Sequence, residues 1–340
     1  MAFGFNQQQI DGVMEMLAGL PQDELAKLLG KGEAAIEDAV LIDYSKTCIE
    51  QSKKSFTDRR ERWTQLWQAH ECEIPEYRDK EPWQSKIVTN RPLVTEWQAT
   101  GLVRRAVVDK MNFFSVEPKA PNRDIDKDKA KFWYELLKHY CRTDDANMSV
   151  LFPDAAAMGF AVGTSLAMKP IWDAEEKRLS IEMIPPWNVH RDPDSRPRKP
   201  QSGLYNIHET YVDFHELRRG EEAGYYVNID KVKEGRSTKE SDERRKEARR
   251  KGQSDESHKF RHPVHVYDCY GDVLDENGEL VLPNARWTLA NDVVIRPARP
   301  LGIPGVRWPI HQFSPLPSML SFHGYGLYEG VLKMWRFQCN

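Results

Sequence analysis

The stretch from Pro309 to Asn340 constrains the fold of this chain more than any other part of the sequence. It begins inside a short strand-like run, Trp308–Phe313. Two prolines follow, Pro315 and Pro317, and each fixes φ and lacks the N–H that a central strand must donate. The prolines therefore predict that the strand ends in a stiff loop.

The second half of this stretch predicts the start of a helix. Gly324 and Gly326 free the backbone before it, and Glu329 lies in the expected first turn, where the helix dipole favours an anion. Apolar residues then recur at helical spacing: Leu327, Val331, Met334 and Trp335. Because no C-cap glycine precedes Asn340, we expect the helix to continue in a longer native chain.

Composition limits the classes of function. The 340 residues include 49 Lys and Arg against 52 Asp and Glu, a net charge of −3, so the chain has no overall attraction for nucleic acid and any DNA contact must be local. The longest uncharged stretch, Ala155–Met168, is shorter than the ~20 residues of a membrane span. The N-terminus lacks the pattern of a signal peptide, and five cysteines without CxxC spacing predict free thiols. We expect synthesis in a cytosol.

The first half of the chain predicts helices. Residues 1–35 carry two short amphipathic patterns and are interpreted as an arm. A long helix should run from Ile36 to Pro75, because Ile42, Ile49, Phe56 and Trp63 recur every seven residues, and this narrow stripe implies one packing partner. Three further helices are predicted: one that follows Pro92, Asp126–Tyr140 with Phe132, Leu136 and Tyr140 buried, and Ser149–Phe160.

Beyond Gly163 the pattern changes to β-structure, so the fold class is α+β with no βαβ alternation. A hairpin is predicted first, and a short helix that ends at Gly220 should carry a capping box formed by Asp213 and Glu216. The predicted strands are Thr164–Trp172, Leu179–Ile184, Trp187–His190, Tyr205–Val212, Val264–Tyr270, Leu280–Leu282 and Trp287–Ile295.

Residues 231–261 form a charged run, with twelve Lys and Arg against seven Asp and Glu and almost no large apolar side chains. Such a run is typical of a solvated helix or loop, and a surface that faces phosphates is the alternative. The candidate contacts with DNA or a partner are Arg244, Arg245, Arg249 and Arg250.

The metal-like patterns in the sequence are incomplete. Asp124, Asp126 and Asp128 match acidic positions of a calcium loop, but Lys129 replaces the required glycine, which favours the start of a helix. Histidines near Cys269 suggest zinc, yet His265 and Cys269 would lie about 13 Å apart along a strand, too far for one ion. We predict no metal site.

Catalytic and cofactor motifs are incomplete as well. Gly324 and Gly326 come close to a dinucleotide fingerprint, but Glu329 stands where the third glycine belongs and would repel a pyrophosphate. No catalytic Ser, His or paired-carboxylate motif is apparent. The residues therefore predict a protein that is not an enzyme and binds no cofactor.

Nine positions of the terminal stretch form one pattern: Pro309, Phe313, Pro315, Pro317, Gly324, Gly326, Glu329, Gln338 and Asn340. This pattern resembles a motif in the portal proteins of tailed bacteriophages, particularly those of the podovirus type. The helix around Trp63 and Trp67, and Asn188 before Arg191, resemble the same family. The likeness covers most of residues 36–340, but the remainder of the channel helix, the tunnel loop and the crown are absent.

The resemblance implies a ring, commonly a dodecamer, at one capsid vertex of the virion, assembled in the host cytoplasm. Its implied partners are capsid and scaffolding proteins, the terminase, a tail adaptor and double-stranded DNA that passes without sequence specificity; no membrane is implied. The alternative function is a nucleic-acid-binding domain or enzyme that uses residues 231–261. The implied division is an arm (1–35), a helical wing (36–163), a mixed β region (164–230), a charged linker (231–261), a β-rich clip-like module (262–312) and the loop with the start of the channel helix (313–340).

Overall fold

The computed structural model describes residues 36–74, 77, 81, 83, 87–108, 114–142, 146–173, 178–232, 262–275, 277–303 and 305–339. Within these ranges the chain forms seven α-helices and two antiparallel sheets, which confirms the α+β class. The arm predicted for residues 1–35 and most of the charged run lie outside the described residues. The five cysteines are free thiols, as predicted.

The predicted long helix is two helices, α1 (Asp38–Ser55) and α2 (Thr57–His70). The backbone leaves helical geometry at Phe56, and the Thr57 hydroxyl donates to the carbonyls of Lys53 (2.9 Å) and Lys54 (3.0 Å). The prediction of one packing partner is wrong, because this break directs the two helices to different cores. Leu41 and Ile49 of α1 pack on the large sheet, whereas α2 packs against the C-terminal helix.

Three more helices complete the N-terminal half: α3 (Arg91–Val103), continued by a π-helical turn (Arg104–Val108), α4 (Asp124–Arg142) and α5 (Met148–Val162). Helix α4 begins at Asp124, in agreement with the interpretation of its acidic residues as a helix start. The predicted burial is wrong for Phe132, which is 58% exposed, whereas Leu136 and Tyr140 are half-buried.

The strands form a hairpin and a five-stranded sheet. The hairpin pairs β1 (Ala167–Asp173) with β2 (Arg178–Ile184), and the large sheet has the order β3-β4-β5-β6-β7 with every pair antiparallel. Its strands are β3 (Val189–Arg191), β4 (Tyr205–Asp213), β5 (Pro263–Leu274), β6 (Leu280–Ala290) and β7 (Val293–Pro300).

Several predicted strand boundaries are wrong. The strand predicted as Leu280–Leu282 is only the start of β6, which continues to Ala290. The strand predicted from Trp187 begins instead with a 3-10 turn, Pro186–Asn188. The run predicted as Trp287–Ile295 is divided between β6 and β7, because Asn291 adopts a left-handed turn with φ of 50° and reverses the chain.

The large sheet crosses the predicted boundary at residues 231–261, since β4 pairs with β5 along its whole length. The strands of the predicted clip-like module are thus hydrogen-bonded to the mixed β region. Helix α6 (Phe214–Glu222) follows β4, but the predicted capping box is wrong because Asp213 makes no side-chain capping hydrogen bond.

Helix α1 covers one face of this sheet. Trp287 is fully buried there, and its indole Nε1 donates to Ser45 Oγ at 2.8 Å. On the opposite face the β1–β2 hairpin is held by Lys169, whose Nζ lies 2.6 Å from Asp268 Oδ2. Burial opposes both charges, but each holds the other ionised, so the pKa of Lys169 is raised and that of Asp268 is lowered.

Removing this buried cation should destabilise the fold strongly. We expect Lys169→Met to lower the free energy of unfolding by about 3–5 kcal/mol, because the buried Asp268 loses its counter-ion. The matched control is Lys46→Met, which breaks the exposed pair with Asp292 and should cost no more than about 1 kcal/mol. Equal losses in urea unfolding would contradict the prediction.

Candidate functional site: the proline–glycine loop

Residues 309–331, called here the proline–glycine loop, do not begin with a strand. The predicted strand Trp308–Phe313 is reduced to one bridge, in which His311 exchanges backbone hydrogen bonds with Met168 at 2.8 and 2.9 Å. The prolines at both ends remove donors from a longer ladder. Ser165 continues the attachment, because its N–H donates to the Phe313 carbonyl (2.8 Å) and its hydroxyl accepts from the Phe313 N–H (2.9 Å).

Glycines allow the loop to lie against the end of α5. A Cβ on Gly324 would lie 2.2 Å from the Leu316 carbonyl oxygen, and one on Gly326 would lie 2.6 Å from the Ala161 carbonyl oxygen. The ring of Pro315 packs on Gly159, where a Cβ would lie 2.6 Å from its carbons. Both loop glycines are thus required by close backbone approach.

Arg59 of α2 attaches the loop to the end of α5, the place where the two backbones cross. This residue was not identified from the sequence. Its Nη1 donates to both carboxylate oxygens of Glu329 at 2.9 and 3.1 Å, and its Nη2 donates to the carbonyls of Val162 (3.2 Å) and Gly324. Glu329 also accepts from the Gly326 N–H at 3.0 Å. The prediction that Glu329 lies in the first helical turn is wrong, because the helix begins at Leu332.

An aromatic cage encloses the neighbouring His323. Its ring meets Phe56 and Trp63 edge-on, at 4.8 and 5.0 Å between centroids, and its Nδ1 lies 3.1 Å from Thr164 Oγ1. Burial, together with the guanidinium of Arg59, lowers the pKa of His323 to about 3, so the ring is neutral at pH 7.

The loop leads into α7 (Leu332–Cys339), which α2 and residues near α3 hold in place. Trp335 is buried, and its Nε1 donates to the Thr89 carbonyl at 3.0 Å. The other side of α7 is exposed, with Met334 and Phe337 both more than half accessible.

The predicted motif residues lie in different environments. The structure brings Phe313, Pro315, Gly324, Gly326 and Glu329 together on α5 and α2. Pro309 is half-buried, whereas Pro317 and Gln338 are exposed. Asn340 and the candidate contacts in the charged run lie outside the described residues: Arg244, Arg245, Arg249 and Arg250.

The polar groups of the loop bind other parts of the same chain and so hold the structure together. The N–H groups of Gly324 and Gly326 are used internally, by Gly163, Ser314 and Glu329. In the described part of the chain, no three His, Cys, Asp or Glu side chains are grouped so that they could hold a metal. None of the helices described there has the length and apolar character needed to cross a membrane.

Comparison with known protein families identifies the class of this α+β protein. It is a tailed-phage portal protein. The match is to the family described as phage SU10 portal protein, over residues 158–334. This range runs from the end of α5 through both sheets into α7 and covers just over half of the chain, so the chain belongs to this family. No curated protein matches it.

The close approach at Gly324 makes a specific substitution informative. We expect Gly324→Ala to lower the free energy of unfolding by about 1–3 kcal/mol, because its Cβ would collide with the Leu316 carbonyl. Gly330→Ala is the matched control: nothing lies within 4 Å of its Cβ, so the change should stay within about 0.5 kcal/mol. If the two variants lose equal free energy of unfolding in chemical denaturation, the close approach of Gly324 to the Leu316 carbonyl is contradicted.

Acid should destabilise the subunit before carboxylates protonate. Burial lowers the pKa of His208 and of His323 to about 3, while histidines in the unfolded chain titrate near 6.5. Below pH 6.5 the unfolded state binds protons that the folded state does not, so stability falls by about 1.4 kcal/mol per pH unit for each histidine.

Urea unfolding at pH 5.5 should therefore give a free energy about 3 kcal/mol lower than at pH 7.5, from these two residues. His70 acts in the opposite direction: burial lowers its pKa, but the hydrogen bond to Glu96 and the negative charges of Glu96 and Glu71 together raise it above the usual value. His323→Gln should reduce the pH slope by about 1.4 kcal/mol per unit. A slope that is unchanged in this variant would show that His323 is not held neutral.

Proposed function

We propose that the chain is one subunit of a ring, commonly dodecameric, at a single capsid vertex. The ring acts as the conduit through which double-stranded DNA enters during packaging and leaves during ejection. It also provides the docking site for the packaging motor and, later, the tail adaptor. The family match across the proline–glycine loop carries this proposal.

Uncovered apolar surface supports assembly into a ring. Five large side chains of α3 and α4 are more than half exposed: Trp97, Leu102, Ile125, Phe132 and Trp133. Exposed apolar residues in such number on adjoining elements are typical of surfaces that bind another protein. In the proposed ring they would be covered by neighbouring subunits.

The exposed side of α7 supports a role for the loop in orienting a channel helix. The loop is attached to the subunit by Arg59 and by the close approach of its glycines, and the inner side of α7 is attached by the hydrogen bond to Thr89. Met334 and Phe337 remain exposed. We propose that the loop sets the direction in which the helix leaves the body, and that the sheet strands of residues 262–312 belong to the part that meets the motor.

Charge is compatible with a conduit. A duplex that must slide should not be held by many phosphate contacts, because each neutralised phosphate adds salt-dependent affinity. The net charge of −3 over 340 residues keeps such attraction small. The proposed role is structural, because the matched family is one of portal proteins.

Replacing both loop prolines tests the proposal. We expect Pro315→Ala with Pro317→Ala to reduce ring formation at least several-fold in mass photometry and negative-stain images, while the unfolding midpoint changes little. The reason is that Pro315 is half-buried and Pro317 exposed, so both act mainly on the direction of the loop.

The control replaces two exposed prolines outside the loop, Pro121 and Pro283, with alanine and should leave the rings intact. A wild-type chain that stays monomeric under assembly conditions would overturn the proposed function. Normal rings from the loop variant would overturn the orienting role of the prolines.

A further inference from the structure

Three arginines share one face of the large sheet near its β7 edge. Arg286 of β6 is paired in register with Arg299 of β7, and Thr288 is paired with Arg296. Residues directly opposite in an antiparallel pair lie on the same face, and residues two apart on a strand do so as well. All three arginines therefore lie on the face opposite α1.

These arginines are not neutralised within the described part of the chain, where none of them forms an ion pair. The carboxylate on the same face, Asp268, is already paired with Lys169 at 2.6 Å. The Nε of Arg286 is buried without a hydrogen-bond partner, and Arg296 makes one long bond, 3.4 Å, to the Tyr225 carbonyl. Like charges directly opposite on neighbouring strands destabilise a sheet, so the pairing of Arg286 with Arg299 needs another reason.

Aromatic rings hold two of the guanidinium groups. Arg286 lies over Tyr270 at 5.7 Å, and Arg296 lies over Tyr226 at 5.2 Å. A guanidinium held over a ring by a cation–π contact is partly oriented, and its terminal Nη groups can still donate to a phosphate. The surface formed by Arg286, Arg296 and Arg299, called here the arginine face, thus combines excess positive charge with partly ordered hydrogen-bond donors.

We propose that this arginine face binds the phosphate backbone of duplex DNA. The inference deepens the proposed function and rests on it, because it places a DNA contact of the ring on β6 and β7 rather than on the charged run. Arginines on a sheet surface offer charge and phosphate geometry without base-specific readout, which suits a duplex that passes without sequence preference. Contacts made only to phosphates are equivalent at every step along the duplex, so they favour no particular position as the duplex moves.

The test uses the full chain after rings have been verified by mass photometry. A fluorescent 30-base-pair duplex is titrated by anisotropy over a range of KCl concentrations. Replacing Arg286, Arg296 and Arg299 with glutamine in every subunit should lower the affinity and reduce the slope of log K against log salt by about 0.9 for each phosphate contact that the ring loses.

Two further variants separate contact from folding and from net charge. The corresponding triple lysine variant should retain most of the slope, and Arg299→Gln alone, at an exposed position, should remove a smaller part of it than the glutamine triple. The charge-matched control replaces exposed Arg104, Arg105 and Arg123 with glutamine and should leave the slope unchanged.

Verified rings that bind no duplex at low salt would overturn the inference while leaving the proposed ring intact. The same conclusion follows if both glutamine triples reduce the slope equally, because the effect would then be one of net charge. If polyglutamate of similar charge displaces the duplex at equal concentration, the face binds an acidic protein segment and the assignment to DNA is wrong.

Discussion

The buried guanidinium of Arg59 is the interaction on which the C-terminal part of the fold depends. A charge taken out of water needs a counter-ion and acceptors, and these come from Glu329 and from the backbone carbonyls of Val162 and Gly324. They can converge only if the loop lies directly on the end of α5. Gly163 at the end of α5 is required by the same arrangement, because its φ is 87° and a Cβ would lie 2.6 Å from the Gly324 carbonyl oxygen.

The large sheet joins the part of the chain before the charged run to the part that follows it. Helix α1 covers one face, while the other receives α6, the hairpin and the arginine face. Because β4 and β5 pair along nine residues, β5, β6 and β7 belong to the same hydrogen-bonded sheet as β3 and β4, and α1 packs on this sheet through its side chains. The strands that we propose meet the motor are therefore part of the same sheet as the strands that precede the charged run.

Local signals predicted the elements that depend on local forces. Periodicity located α4 and α5, and alternation with a polar turn located the β1–β2 hairpin. Predictions failed where a distant partner decides the outcome. The break at Phe56 allows α1 and α2 to pack on different cores, and the run before Phe313 finds one bridging partner in Met168 instead of a ladder.

For the candidate site, the sequence by itself determined the loop: its prolines cannot extend a strand, and its glycines mark places where backbone comes close to backbone. Only the tertiary structure decided what the loop rests on. Arg59 precedes Glu329 by 270 residues and stands among charged neighbours, so nothing local distinguishes it from a solvated side chain. Propensity acts over a few residues, whereas the desolvation of a charge is settled by groups that meet when the chain has folded.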